Sequence, residues 1–251
     1  MAQTPLANIV AASEKKIGKL ERNPLGYVLS SGLAGIYVGL GILLILTVGS
    51  FFQGAPYAKM VQGLSFGIAL SLVVAAGAEL FTGNNLVMSF GALAGRVSWG
   101  RVVKLWIVCW IGNLLGSILL GFLFAQTGLV KDGLLATLTA TATAKASAPL
   151  MALFVRGMLC NLLVCLAIWC SFTQKEEVAK LIMVFWCLYA FITMGLEHSV
   201  ANMTVFALAY AVDAGVSVSA MGMNLLVVSL GNLLGAVVLL VLPYWIGRER
   251  D

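Results

Sequence analysis

Apolar residues run along the chain in six blocks, at about 28–52, 60–90, 102–124, 151–172, 181–212 and 221–246. A hydrocarbon core about 30 Å thick takes about 20 helical residues, so blocks one, three, four and six each predict a tilted membrane-spanning helix. Blocks two and five hold 31 and 32 residues. One straight helix of that length would reach about 47 Å at 1.5 Å per residue. Each is also interrupted by polar side chains, Glu79, Thr82, Asn84 and Asn85 in the second and Glu197, His198, Ser199 and Asn202 in the fifth. Excess length and a polar centre together predict two broken helices, because non-helical backbone at membrane depth is tolerated only where it lines a cavity or is buried in protein. Ahead of the first block, Leu6, Ile9, Val10, Ile17 and Leu20 fall near one helical face, with Glu14, Lys15, Lys16 and Lys19 mostly off it. That pattern predicts a short helix lying at the membrane surface, and it lacks the continuous apolar run of a signal peptide.

The two halves echo each other. Gly77, Glu79 and Asn84 spell G-x-E-x4-N, as do Gly195, Glu197 and Asn202, and the two glutamates stand 118 positions apart. GNLLG occurs at 112–116 and again at 231–235, 119 positions on. Two matches at nearly one offset predict a duplication. Three spans per half is an odd number, so the halves must insert with opposite orientation, and inverted repeats with discontinuous helices mark a transport pathway. The fold expected is therefore an all-α membrane protein, one domain over 1–251: an N-terminal helix to residue 26, a first repeat over 27–125, an outer connecting loop over 126–150 and a second repeat over 151–247.

Composition agrees with this reading. Of the 251 residues, 61% are hydrophobic and 10% charged, against about 25% charged in a soluble domain. The formal net charge of +5 is scattered between apolar blocks and forms no basic stripe, which excludes a nucleic-acid footprint. The cations are asymmetric: Lys15, Lys16, Lys19, Arg22, Arg96, Arg101, Lys104, Lys175, Lys180, Arg248 and Arg250 gather on one side, and Lys59, Lys131 and Lys145 on the other. The positive-inside rule puts both termini in the cytoplasm. Cys109, Cys160, Cys165, Cys170 and Cys187 all lie in apolar runs with no metal-ligand spacing, so they are expected to pack as small hydrophobes. No HExxH, GxSxG or Walker loop is present, so neither an enzyme nor a bound metal or cofactor is expected.

Ionisable residues inside a membrane are costly and face an interior or an aqueous path. Glu79 and Glu197 stand just before the two breaks, where a carboxylate satisfies orphan backbone amides at a helix N-terminus; Asn84 and Asn202 are grouped with them as support for the breaks. His198 is the chain's only histidine and the one group that ordinarily titrates near neutrality. Its counterpart in the first half is Leu80, so duplication explains the glutamate and not the histidine. Thr82 offers a hydroxyl on the first break, and Asn161 is a buried amide suited to a structural or a pathway role. Lys145, in TATAKASAPL, reads either as a solvated loop lysine or as a positive charge above the outer mouth.

The motifs NPLGYVLSSGLAGIYVGLG (23–41), AELFTGN (78–84), AKASAP (144–149), CNLLVCLAIW (160–169) and LEHSVANMTVFAL (196–208) make the chain resemble the formate/nitrite transporter family over essentially its whole length. The first and last are most similar to its nitrite channels; formate and hydrosulfide channels share the framework. The resemblance implies an aquaporin-like protomer in a homopentamer of the bacterial cytoplasmic membrane, passing small monovalent anions and protons through each protomer. It implies that Thr82, Lys145, Asn161 and His198 are the polar pathway residues. Two apolar constrictions follow from motif position: Phe81 with Val164 on the outer side, and Leu70 with Phe191, helped by Phe66, on the inner. The physical reason for a histidine between them is that an anion cannot shed its water cheaply in front of aromatic rings. Nitrite or formate carried as the neutral acid can, and burial favours neutral imidazole, so the proton is expected to arrive with the anion. A neutral-solute facilitator for water, glycerol or ammonia is the alternative of another class.

Overall fold

A computed structural model describes residues 5–248, and Arg250 lies outside the described residues. Every regular element among them is helical. In chain order these are α1 (Pro5–Arg22), α2 (Pro24–Phe51), α3 (Ala58–Phe66), α4 (Ile68–Ala76), α5 (Phe81–Leu93), α6 (Trp99–Ala125), α7 (Asp132–Ser147), α8 (Leu150–Thr173), α9 (Glu177–Thr193), α10 (Ser199–Ala211), α11 (Val218–Ala236) and α12 (Leu242–Ile246), the last two joined by a π-helical turn over Val237–Val241. Five stretches are long and apolar enough to cross a membrane: Pro24–Phe51, Ala58–Ala76, Trp99–Ala125, Leu150–Thr173 and Val218–Ile246. α9, α10 and α5 are shorter.

Local chemistry sets the helix ends. Asn23 caps α2 with its side-chain oxygen on the Gly26 amide at 2.9 Å, and Pro24 takes the first helical position, where a missing N–H costs nothing. α4 and α9 both stop at a glycine in the left-handed region, Gly77 and Gly195, each at φ 71°. In both, the next amide reaches back to close the helix, Ala78 N to Val73 O and Leu196 N to Phe191 O, each at 3.0 Å. This Schellman-type ending needs a residue without a Cβ at that φ, which accounts for the Gly in both G-x-E motifs.

The GNLLG glycines serve close helix approach. A Cβ on Gly116 would fall 1.9 Å from the Gly32 carbonyl oxygen, and one on Gly235 would fall 2.2 Å from that of Met158. α6 therefore lies backbone-to-backbone on α2, and α11 on α8, as small residues permit in membrane helices.

The apolar face of α1 packs on protein: Ile9, Ser13, Ile17 and Leu20 are buried, Ile9 in one apolar cluster with Leu86 and Phe90 of α5. Ion pairs from Glu14 to Arg96 at 3.0 Å and from Glu21 to Arg101 at 2.5 Å fix its polar side. The segment expected as a connecting loop contains α7, with Leu134, Leu138 and Ala142 buried. Its alanines favour helix, while its alternating threonines hide any helical period. Of the five thiols, all but Cys170 are buried.

Candidate functional site

The two interruptions, residues 77–80 and 194–198, are built alike. In the first, the Asn113 carboxamide closes the gap. Its Nδ2 donates to Glu79 O at 2.9 Å and Ser31 O at 2.7 Å, and its Oδ1 accepts from Phe81 N at 2.9 Å. In the second, Asn232 Nδ2 donates to Glu197 O at 3.0 Å and Gly157 O at 2.8 Å, and its Oδ1 accepts from Ser199 N at 2.9 Å. Glu79 N reaches Ser30 O at 3.2 Å, and Glu197 N reaches Arg156 O at 3.4 Å. These two asparagines are the N of GNLLG. The sequence shows them as a repeat; their task depends on partners up to 82 positions away, for which no local signal exists.

The role expected for the carboxylates is thereby corrected. An interrupted helix offers a carbonyl before the gap and an N–H after it; a side-chain amide can serve both, and an ionised carboxylate, which only accepts, cannot. The glutamates take cations instead. Glu79 is held by Lys16 Nζ at 2.5 Å and Lys19 Nζ at 3.4 Å, both from α1, with Asn84 Nδ2 at 3.2 Å and the Tyr27 hydroxyl at 3.4 Å. Glu197 is held by Lys145 Nζ from α7 at 2.9 Å and by Asn202 Nδ2 at 2.6 Å. Asn224 ties this cluster down, accepting from Asn202 at 2.9 Å and donating to Lys145 O at 2.8 Å.

At the centre the N-termini of α5 and α10 meet. His198 and Leu80 occupy the same cap position with similar extended backbone, φ −115° and ψ 116° against φ −104° and ψ 126°. Leu80 has nothing to cap with. His198 Nδ1 accepts from the Ala201 amide at 3.1 Å, and Nε2 lies 2.9 Å from Thr82 Oγ1. An Nδ1 that accepts must be unprotonated, which puts the proton of a neutral ring on Nε2, facing Thr82. Phe191 stacks on the imidazole, with centroids 5.9 Å apart and planes 19° apart. His198 is 4% exposed, and Thr82 is fully buried.

Two spaces adjoin the ring. A cavity of about 400 Å³ is lined by Lys59, Gln62, Lys145, Arg156, Glu197 and His198 among others, with Phe191 at its wall. On another side, Phe66, Leu70, Val164, Leu188, Phe191 and His198 enclose only about 10 Å³, around the lower limit for a single water. Leu70, Phe66 and Val164 line this gap together, and Phe191 is shared between it and the cavity that carries Lys59 and Lys145. Phe81 lines neither space; its amide is engaged by Asn113. Asn161 lines neither, and bridges α5 and α11 through Thr82 O at 3.4 Å, Asn85 Oδ1 at 3.0 Å and Asn232 O at 2.8 Å. Among the described residues no group of His, Cys, Asp and Glu is placed to hold a metal ion.

Comparison with known proteins agrees with this geometry. A family model described as formate/nitrite transporter matches residues 4–246. The nitrite transporter NirC of Escherichia coli K12 is 44% identical over 254 residues, covering 98% of this chain and 93% of that protein. A solved FNT family ion channel superposes with a TM-score of 0.92 at 41% identity, over 98% of this chain and 99% of that one. A pentameric formate channel with formate bound superposes with a TM-score of 0.76 at 29% identity, over 88% of this chain and 96% of that one. The all-helical apolar fold, with two helix N-termini meeting at a buried polar pair beside a cationic cavity, is that of a membrane transport protein. The chain belongs to the formate/nitrite transporter family, a family of transporters and not of enzymes.

Proposed function

We propose that the chain is a channel for small monovalent anions, nitrite foremost, acting as a homopentamer with one pathway per protomer. It sits in the cytoplasmic membrane with both termini inside, and its halves, 27–125 and 151–247, are inverted repeats whose second and fifth spans break near the midplane. The paired asparagine clamps at the two interruptions support the repeat. The NirC and formate-channel likenesses support the cargo and the pentamer.

One observation carries the mechanism: the His198–Thr82 contact lies between a roomy cationic cavity and an apolar gap of about 10 Å³. An anion reaching that gap must leave its hydration shell behind, and an unpaired charge there is very costly. Taking a proton in the wet cavity removes the charge. His198 has its Nδ1 occupied by the Ala201 amide, so it serves best as an Nε2–H donor, and a second ring proton would have to displace that amide. Thr82, accepting from Nε2, keeps its own hydroxyl proton to offer. The pair therefore replaces lost water for a permeant whose proton arrives with it from solution.

The test is nitrite flux and the accompanying pH change in proteoliposomes with His198→Asn. The expected result is a loss of about tenfold or more, the equivalent of one strong hydrogen bond, with flux still rising as pH falls because the permeant's proton comes from solution. Unchanged flux would remove the histidine from the mechanism. Fast water or ammonia flux with indifference to nitrite, formate and hydrosulfide would replace the anion channel by a neutral-solute facilitator.

A further inference from the structure

The cavity above His198 has a charge balance that the Lys145–Glu197 pair does not explain. Its lining contains three cations, Lys59, Lys145 and Arg156, and one carboxylate, Glu197. Glu197 is engaged by Lys145 at 2.9 Å, so these two largely neutralise each other. The surplus rests on Lys59 and Arg156, and neither side chain has an ion pair or hydrogen bond among the described residues. Both are anchored at the second interruption. Lys59 Nζ stands over Gly195, 3.2 Å from where a Cβ there would lie. The Arg156 carbonyl accepts from Glu197 N at 3.4 Å, which fixes where the side chain departs. Arg156 is the seventh residue of α8, and both it and Lys59 are exposed, so their charges are open to an incoming ion.

We infer that Arg156, with Lys59 beside it, forms the entry site of the pathway and selects planar two-oxygen anions. This rests on the anion-channel reading above. A guanidinium presents two parallel N–H groups in a rigid plane, matching two coplanar oxygens on one atom. Nitrite and formate have that shape. Hydrosulfide offers one round sulfur and gains only the charge, which any ammonium supplies equally. Arg156 thus discriminates by shape, Lys59 attracts without discrimination, and His198 further in meets whatever has been admitted. The ordinary alternative is an arginine that reaches for lipid headgroups with its stem against the bundle; such a residue would not affect which anion passes.

The experiment compares initial uptake of nitrite, formate and hydrosulfide by proteoliposomes of the full chain, with Arg156→Lys, Arg156→Gln and Lys59→Gln. Arg156→Lys keeps the charge and removes the fork. It should raise the half-saturating concentration of nitrite and formate about fivefold to tenfold, as for loss of one charge-assisted hydrogen bond, while hydrosulfide uptake stays within about twofold and the maximal rates hold. Lys59→Gln should weaken all three alike. An unchanged nitrite-to-hydrosulfide ratio in Arg156→Lys would overturn the proposal, as would loss of the assembled oligomer on size-exclusion chromatography, which would make Arg156 an interface or anchoring residue. A wild-type protein that carries none of the three anions would overturn the anion-channel reading itself, and this inference with it.

Discussion

The two interruptions share one scaffold and differ in what they hold. Each ends a helix on a left-handed glycine, Gly77 or Gly195, and closes with an asparagine from the helix alongside, Asn113 or Asn232. Each buries a glutamate bonded to the asparagine five positions on. Around that constant frame the contents diverge. Glu79 takes two lysines from α1, so the first interruption is fastened to the N-terminal helix. Glu197 takes a lysine from α7 on a cavity wall, so the second faces an open cavity of about 400 Å³. The first helix starts at Leu80 and the second at His198, which caps its own helix and meets Thr82 across the junction. The support is alike at the two interruptions, and the residues that differ are those proposed above to meet the permeant.

The largest effects should come from what the two interruptions share. Asn113→Leu and Asn232→Leu each strip a buried gap of a clamp serving one N–H and two carbonyls. Leaving such groups unsatisfied costs about 1–3 kcal/mol each, so each variant should lose roughly 3 kcal/mol or more. Thermal unfolding in detergent reads this out. Equivalence is the sharper part of the prediction: a loss confined to one variant would mean the two clamps are not structural counterparts.

Much of this frame could be read from the sequence, and the reasons mark where reading stopped. The spans are legible because burial in lipid demands long unbroken apolar runs. Both interruptions are legible because their segments are too long and carry polar centres. GNLLG was visible as a repeat, yet the work of Asn113 and Asn232 was not, since each bonds across helices far apart in sequence. The Lys16–Glu79 pair spans 63 positions and was equally hidden. α7 escaped notice because a Thr–Ala alternation has no helical period.

The next effect separates the two interruptions. Glu79→Gln and Glu197→Gln each remove a charge that is itself buried, while the lysine partners are 19–40% exposed and keep some water. Breaking a fully buried pair costs about 3–5 kcal/mol, and partial exposure should bring both variants nearer about 2 kcal/mol. Transport should then diverge. Glu197→Gln frees the Lys145 charge inside the cavity, so apparent affinity for nitrite should rise. Glu79→Gln loosens α1 and should leave that affinity alone. A fall in affinity for Glu197→Gln would mean that the carboxylate, rather than the cations around it, governs entry.

The smallest effect bears on His198 and separates its two roles. As cap of α10 it satisfies the Ala201 amide, and losing an N-cap costs about 1 kcal/mol. His198→Leu copies the first interruption, where Leu80 leaves its helix uncapped by a side chain. It should therefore lower stability by about 1 kcal/mol and cut nitrite flux about tenfold, as for the loss of one strong hydrogen bond. Asparagine caps well, so His198→Asn should restore the stability and leave transport impaired. Paired melting curves and flux measurements decide it. If His198→Asn recovers both, the histidine is present only to start a helix, and the asymmetry between the two interruptions has no bearing on the permeant.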